Sequence, residues 1–336
     1  MISRRRFGAG SAATFASIAV LPARAFASAP EFTFKWGHAT QVNHPLNVSA
    51  VRVREAVAKA SRGRLAIEVY GNNQLGGDTA MLAQVRSGSI QLYSGYGGIY
   101  ANVSPLAGIE AVGFAFHNQA EALRVFDGPL GAAIRADLDS KGGLVTFERA
   151  WVNGFRQITT STHPIVTVDD MNGLKIRTPP SRIWVDMFRA LGAAPTPINA
   201  SEMYTALQTH VVDAQENPFA ILESYRLYDV QKYLSVTNHM WSNFWVVANA
   251  GAYRALPPDL QRLLRDTINE MALVNRRETE LSNASLEDKL GRRGMVVNRV
   301  ATAPFRAKLK DFYAAERDQF GAAAWGMLEA GVGHLG

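Results

Sequence analysis

The chain of 336 residues contains no cysteine. That absence excludes disulfide staples, thiolate metal sites, a cysteine nucleophile and a lipid anchor on an N-terminal cysteine. Histidine is sparse: residues 38, 44, 117, 163, 210, 239 and 334 are dispersed, with no spacing that suits a metal centre. There is no G-x-S-x-G or H-E-x-x-H motif, and no pair of carboxylates that can be placed across a cleft. The sequence therefore predicts no catalytic residue, no metal and no cofactor. It also lacks a basic stripe interleaved with aromatics, which argues against nucleic acid as a partner. Past the first thirty residues no run is long and apolar enough to span a bilayer.

What is present begins with Ser3-Arg4-Arg5-Arg6-Phe7, a weakly apolar run to about residue 23, and small residues at 25–29. A basic region, an apolar region and a small-residue cleavage site make residues 1–27 a cleaved export signal. The arginines before phenylalanine resemble a twin-arginine signal, with an ordinary secretory signal as the alternative. Arg4, Arg5, Arg6 and Arg24 belong to this segment, so the formal charge of +6 falls to about +2 without it. A chain exported in this way is expected in the periplasm.

The remaining length suffices for two domains, each with a core. Phe32, Phe34 and Trp36 alternate as a strand, and His44-Pro45 starts a helix. Leu65, Ile67 and Val69 form a second strand, followed by a glycine-rich turn over 71–77, a helix from Asp78 to Arg86 and a strand at 90–93. This β-α-β-α-β order predicts a parallel sheet covered by helices. Gly95, Gly97 and Gly98 fit no phosphate-binding pattern and precede no helix pattern, so close backbone approach, to a ligand among other things, explains them best. Two helices fill 119–140. Strands at 144–149 and 155–159 flank Asn153-Gly154, read as a crossing between domains. Residues 236–248 form a strand long enough to return. Pro257-Pro258 opens a helix reaching Arg292, whose apolar stripe lapses over 275–280 and resumes at Leu281, as suits a helix crossing a gap. Val296-Val297 is a late strand, and two helices end the chain.

Residues 173–217 form a strand–helix–strand–helix–strand unit. Leu174 and Ile176 alternate with Lys175 and Arg177, and Thr178-Pro179-Pro180 stops that strand. Trp184, Met187, Phe188 and Leu191 make a helix face closed by Gly192. Ser201 opens a second helix, Val211-Val212 is read as the third strand, and Asn217-Pro218 begins another helix. Arg177 stands at the carboxyl end of a strand, where open α/β sheets place ligands. Its planar fork matches a carboxylate, and a surface arginine paired with a local acid is the competing reading.

G-L-K-I-R, L-G-A-x-P-T-P, S-E-M-Y-T-A-L-Q-T and V-V-D-A-Q-E-N-P, in this order and spacing, resemble the DctP-like solute-binding proteins of TRAP transporters. The similarity extends to N-Q-L-G-G-D-x-A-M-L at 73–82, N-G-F-R-Q at 153–157 and Y-D-V-Q-K-Y at 228–233. The resemblance implies an α/β periplasmic-binding-protein fold with two lobes, each a mixed or parallel sheet flanked by helices, and a long helix spanning both. The expected division is 28–153 plus 242–281 in one lobe and 154–241 plus 282–336 in the other, with the ligand cleft between.

The resemblance also assigns roles. Arg177 matches the family's principal carboxylate-binding arginine. Arg156 matches a second cleft arginine, with an interdomain salt bridge as its other explanation. Asn217 matches a ligand partner, although helix N-capping also accounts for it. Tyr96, Trp241 and Phe244 match cleft-lining positions, while Trp151 and Trp184 are expected in the core. Asp78 is a candidate contact for polar ligand groups, or a cap for its own helix. Departures from the family are Val112-Gly113-Phe114 in place of a leucine-proline-phenylalanine, Ala200 where some relatives carry phenylalanine, and His210 and Ala214 at positions often occupied by glycine. The expectation is a non-enzymatic receptor, not itself membrane-spanning, that closes on a small organic acid and delivers it to the TRAP permease subunits. The three rings favour an aromatic or branched monocarboxylate over a polyhydroxylated sugar acid, with rings that simply wall a small hydroxy- or keto-acid pocket as the alternative. The binding protein of an ABC importer and a secreted enzyme on the same scaffold are the alternatives.

Overall fold

The computed structural model describes residues 29–335; the export signal, with its twin-arginine reading, lies outside them. Alternating apolar residues build β1 (Phe32–His38), and Pro45 at the first turn starts α1 (Pro45–Ala60), capped by the His44 side chain. β2 (Leu65–Tyr70) and α2 (Asp78–Ser87) follow as expected. β3 (Leu92–Gly95) lies two residues later than the apolar run suggested, because Ile90 packs in the turn before it. The short α3 (Gly97–Tyr100) starts directly after it, contrary to expectation. Its glycines explain why no helix pattern is visible: a Cβ on Gly98 would lie 2.2 Å from the Trp184 ring.

α4 (Gln119–Asp127) and α5 (Pro129–Gly142) lead to β4 (Leu144–Thr146) and β5 (Trp151–Thr160). Asn153-Gly154 does not separate two strands but sits inside β5 as a bulge, with Gly154 at φ 115°. β6 (Lys175–Thr178) and α6 (Arg182–Ala190) fall as read, with Gly192 at φ 96° just past the helix. β7 (Ala194–Pro197) is an edge strand, the place in a sheet where its two prolines are tolerated. After α7 (Ala200–Gln208), Val211 is 60% exposed in a turn, so the third strand is not Val211-Val212. It is β8 (Ala214–Pro218), whose Gln215, Glu216 and Asn217 are buried between β5 and β6. Polar side chains concealed that strand from a hydrophobic pattern.

α8 (Phe219–Ser224) precedes β9 (Tyr233–Asn249), a 17-residue strand. α9 (Ala250–Ala255) and the 35-residue α10 (Pro258–Arg292) follow, then β10 (Val296–Arg299), α11 (Ala303–Lys308) and α12 (Lys310–Val332), kinked at Gly321. The strand order is β2-β1-β3-β9-β5-β8-β6-β7, with β4 and β10 also on β9. β9 joins the two halves: residues 245–249 pair with β3 and β4, while residues 233–244 pair with β5 and β10. The result is a mixed α/β sheet: the pairs β1–β2, β1–β3, β6–β7, β6–β8 and β9–β10 are parallel, whereas β9 runs antiparallel to β3, β4 and β5, and β5 runs antiparallel to β8.

α10 packs on α1 in the first half and on α8 in the second. Its stripe does not resume at Leu281, which is 71% exposed; the buried face continues through Asn275 and Thr279 to Leu286 and Leu290. Over the gap the buried face is polar because it serves β5. Asn275 Oδ1 accepts the Val152 N–H at 3.0 Å beside the bulge, and Arg276 Nε donates to the Ala150 carbonyl at 2.9 Å. Side chains of the helix thus replace ladder partners where the strand is irregular. α12 touches α4 and α5 as well as α6, so the terminal helices contact both halves.

Candidate ligand-binding site

The strand order sets Arg177 of β6, Arg156 of β5 and Asn217 of β8 on neighbouring strands, facing the β1–β3 half across a cavity. The cavity is partly open, and its atom-free space of about 460 Å³ includes solvent at its mouth. Its walls include Asp78, Ser94, Tyr96 and Phe244 from one side and Arg156, Arg177, Asn217 and Tyr225 from the other. Thr40, Asn153, Met203, Ile221 and Ala200 complete much of the lining. Ala200 is where the absence of a larger side chain leaves room. Of the seven candidate residues the structure gathers six, and it leaves out Trp241.

Arg177 is 3% exposed and forms no ion pair among the described residues, so the reading as a surface arginine paired with a local acid is excluded. Its one recorded hydrogen bond runs from Nε to the Ile198 carbonyl at 2.8 Å, which fixes the plane of the fork. Burial lowers its pKa from the ordinary value, an effect countered by Tyr96 and Glu216. A buried guanidinium with two terminal nitrogens uncommitted is a receptor for a planar anion.

Arg156 has a different situation. Nε donates to Glu216 Oε2 at 2.5 Å and Nη2 to Oε1 at 2.8 Å, with both side chains buried. Nη2 also reaches Asn217 Oδ1 at 2.9 Å, and Nη1 reaches Ser242 Oγ at 3.3 Å. Arg156 thus forms a salt bridge, but with the neighbouring strand of its own segment and not across to the other domain, and it also lines the cavity. Glu216 receives further bonds from Trp184 Nε1 and His239 Nε2, both at 3.1 Å. Burial alone would raise the Glu216 carboxyl, but the Arg156 charge and the bond from His239 outweigh it and hold the group at about 2. Trp184 is core, as expected. Glu216 carries no signal in a hydrophobic pattern; its place beside Asn217 on a short strand is the only clue.

Asn217 does not cap α8, since Pro218 occupies the cap position. Its amide nitrogen donates to Gln215 Oε1 at 2.7 Å and its oxygen accepts from Arg156, which orients the side chain at the cavity wall. Asp78 does not cap α2 either: Gly77 is the cap residue, and Asp78 Oδ1 accepts from the Tyr93 hydroxyl at 2.8 Å. Tyr96 stands edge-on to Trp184 at 5.7 Å, and its buried hydroxyl has no partner among the described residues.

Trp241 is the correction. It stacks on Phe126 at 5.5 Å and belongs to the core, because strand alternation sends Ser242 and Phe244 to the cavity side and Trp241 to the other. Sequence reasoning missed Thr40, Ser94, Met203, Ile221 and Tyr225; small or apolar residues near a cleft carry no distinguishing pattern. His210 and Ala214 lie outside the cavity, and Phe114 packs on Phe305 and His239 rather than at its rim. Among the described residues no group of three His, Cys, Asp or Glu side chains could hold a metal ion, and no helix is long and apolar enough to cross a membrane.

Comparison with known proteins gives this geometry a family. Residues 36–319 match the model for bacterial extracellular solute-binding protein, family 7. An uncharacterized protein from Sinorhizobium fredii is 37% identical over 264 residues, 77% of this chain, which spans about half (48%) of that relative's length. The 2,3-diketo-L-gulonate-binding periplasmic protein YiaO of Escherichia coli is 31% identical over 280 residues, covering 83% of this chain and 85% of that protein. In three dimensions the chain resembles a TRAP periplasmic solute-binding protein from Polaromonas sp. JS666 bound to D-erythronate. The TM-score is 0.86 at 28% identity, covering 89% of this chain and 98% of the other. These matches are to two-lobed substrate-binding proteins of an extracytoplasmic family, and they cover both halves of the sheet. The chain belongs to family 7 of the bacterial extracellular solute-binding proteins, the DctP-like solute-binding proteins of TRAP transporters.

Proposed function

We propose that this protein works in the periplasm, closes on a small organic acid without chemically changing it, and presents it to the membrane permease of its transporter. The observation that carries the reading is Arg177, buried in the cavity with its fork oriented by the Ile198 carbonyl and no acid within ion-pair distance among the described residues. A ligand carboxylate supplies the missing charge, with Tyr96, Asp78 and Asn217 adding directed bonds. Arg156, neutralised by Glu216, shapes the wall and orients Asn217 more than it attracts an anion. With Trp241 in the core, an aromatic ligand body loses one of the three rings that favoured it. The polar side chains set into the otherwise apolar wall, Thr40, Asp78, Ser94 and Asn217 among them, suit a compact acid carrying further polar groups.

The two lobes are read as 28–153 plus 242–281 and 154–241 plus 282–336, hinged where β5 and β9 cross. The Tyr225 hydroxyl donates to the Ala39 carbonyl at 2.5 Å, a bond that ties the two sides of the cavity together. Closure on ligand then couples affinity to permease docking through one equilibrium. Thermal unfolding against a panel of organic acids tests the reading, since a ligand bound only by the folded state raises Tm by mass action. A saturable shift from particular carboxylates, with the acid recovered unaltered after long incubation, supports it. Turnover of the acid, or no shift from any carboxylate, contradicts it.

A further inference from the structure

Two of the segments that carry the resemblance hold residues the cavity does not use. None of residues 228–233 lines it, nor does Gln215, yet Gln231 and Gln215 are both buried. A buried amide needs partners at both of its ends. Gln231 Nε2 donates to the carbonyls of Val230 at 3.0 Å and Asp213 at 3.4 Å. Carbonyls only accept, so the nitrogen must face them and the oxygen must face away. Gln231 Oε1 there accepts the Thr159 hydroxyl at 2.9 Å. With its proton committed, Thr159 Oγ1 accepts from Gln215 Nε2 at 2.6 Å, the residue directly opposite it in the β5–β8 ladder. Gln215 Oε1 is thereby turned toward Asn217, two residues along the same face of β8, and accepts from its Nδ2 at 2.7 Å. The far end agrees: a guanidinium only donates, and Arg156 Nη2 gives its proton to Asn217 Oδ1 at 2.9 Å.

The chain of five buried side chains is therefore fixed in direction, by a donor at one end and acceptors at the other. Bonds aligned head to tail in this way polarise and strengthen one another. The consequence falls on Asn217. Gln215 holds one of its amide protons, and the nitrogen also lies 3.4 Å from Met203 Sδ, a thioether on the cavity wall and a weak acceptor. A carboxylate on Arg177 is a far better acceptor for the second proton. We propose that Gln231, Thr159 and Gln215 are positioning residues for acid capture: outside the cavity themselves, they hold Asn217 so that an N–H stays available to the ligand carboxylate. The inference rests on the reading of the cavity as an acid site anchored by Arg177.

Thr159→Val keeps the shape of the side chain and deletes the hydroxyl, which cuts the chain at its middle without touching the cavity wall. Side-chain amide NMR spectra of the ligand-free protein give the first readout, with the Asn217 pair identified by its loss in Asn217→Ala. That pair should shift in Thr159→Val and return in Thr159→Ser. Calorimetric titration then uses the acid that raises Tm most in a panel of mono- and dicarboxylates, hydroxy and keto acids among them. Thr159→Val should bind it roughly five- to tenfold more weakly, and Thr159→Ser within about twofold of wild type. In an Asn217→Ala background Thr159→Val should cost no further affinity, a result that general loosening of β5 would not give. An Asn217 signal or a Kd unaltered by Thr159→Val overturns the positioning role and leaves the receptor reading standing. Losses that simply add in the double variant do the same. If no acid binds wild-type protein, the receptor reading falls and this inference with it. Should Thr159→Val not fold, Gln231→Leu cuts the same chain at its outer end and carries the same predictions.

Discussion

Glu110 is a buried acid behind the cleft that ties stability to pH. It is fully buried, accepts the Gly97 N–H that starts α3, and so fixes the backbone next to Tyr96. Burial raises its pKa from 4.5 to about 8, against the pull of the Gly97 bond and the Arg156 charge. The folded state thus binds more protons than the unfolded state between those values. Its contribution to stability is complete below pH 4.5 and is lost as pH rises through about 8. Glu110→Gln, uncharged at every pH, should remove this slope: Tm of the variant stays flatter than wild type between pH 5 and 8. Parallel curves for the two proteins would show that Glu110 is ionised in the fold. At this scale the sequence was partly legible. Arg177, Arg156, Asn217 and Asp78 stand out because charged or amide side chains sit in recognisable motifs. Glu110 and Glu216 do not, since nothing local distinguishes a buried acid from a solvated one.

Among the elements, α10 illustrates both success and failure of pattern reading. Its start at Pro258 and its end at Arg292 follow from the proline pair and the length of the amphipathic run. The buried Asn275 was invisible, because an asparagine on a helix is ordinarily counted with the solvent face. Its partner, the Val152 N–H, exists only because a bulge far away in sequence disrupts the β5–β9 ladder. Asn275→Leu should therefore cost about 1–3 kcal/mol in urea unfolding, the usual penalty for a buried donor left without an acceptor. Leu281→Ala, on the exposed face, should stay within about 0.5 kcal/mol. Equal losses at both positions would mean that the helix contributes through its apolar contacts alone. β8 follows the same logic: a strand buried on both faces by a polar network has no apolar alternation to read.

For the whole molecule, the mixed sheet with β9 as its shared strand follows from a few long-range pairings, and the sequence could indicate only that a long strand returns. Closure itself depends on contacts between the halves, such as the Tyr225 hydroxyl on the Ala39 carbonyl and the Trp184 ring against Gly98. Tyr225→Phe removes this bond together with the one that Asn73 Nδ2 donates to the same hydroxyl at 3.3 Å, and should weaken the closed form by about 0.5–1.5 kcal/mol. Scattering of the ligand-bound variant should then show a larger radius of gyration than wild type at the same subsaturating acid concentration, with affinity lower by up to about tenfold. Unchanged affinity would mean that the hydroxyl plays no part in holding the halves together.

The central claim, that a buried arginine awaits a carboxylate, is tested most directly by calorimetric titration of Arg177→Ala beside wild type with the acid that gives the largest thermal shift. Removing the guanidinium leaves the ligand's carboxylate desolvated and unpaired, which should cost roughly 3–5 kcal/mol, or about two to four orders of magnitude in Kd. A folded variant that binds the acid as tightly as wild type would contradict the account and move the anchor elsewhere in the cleft.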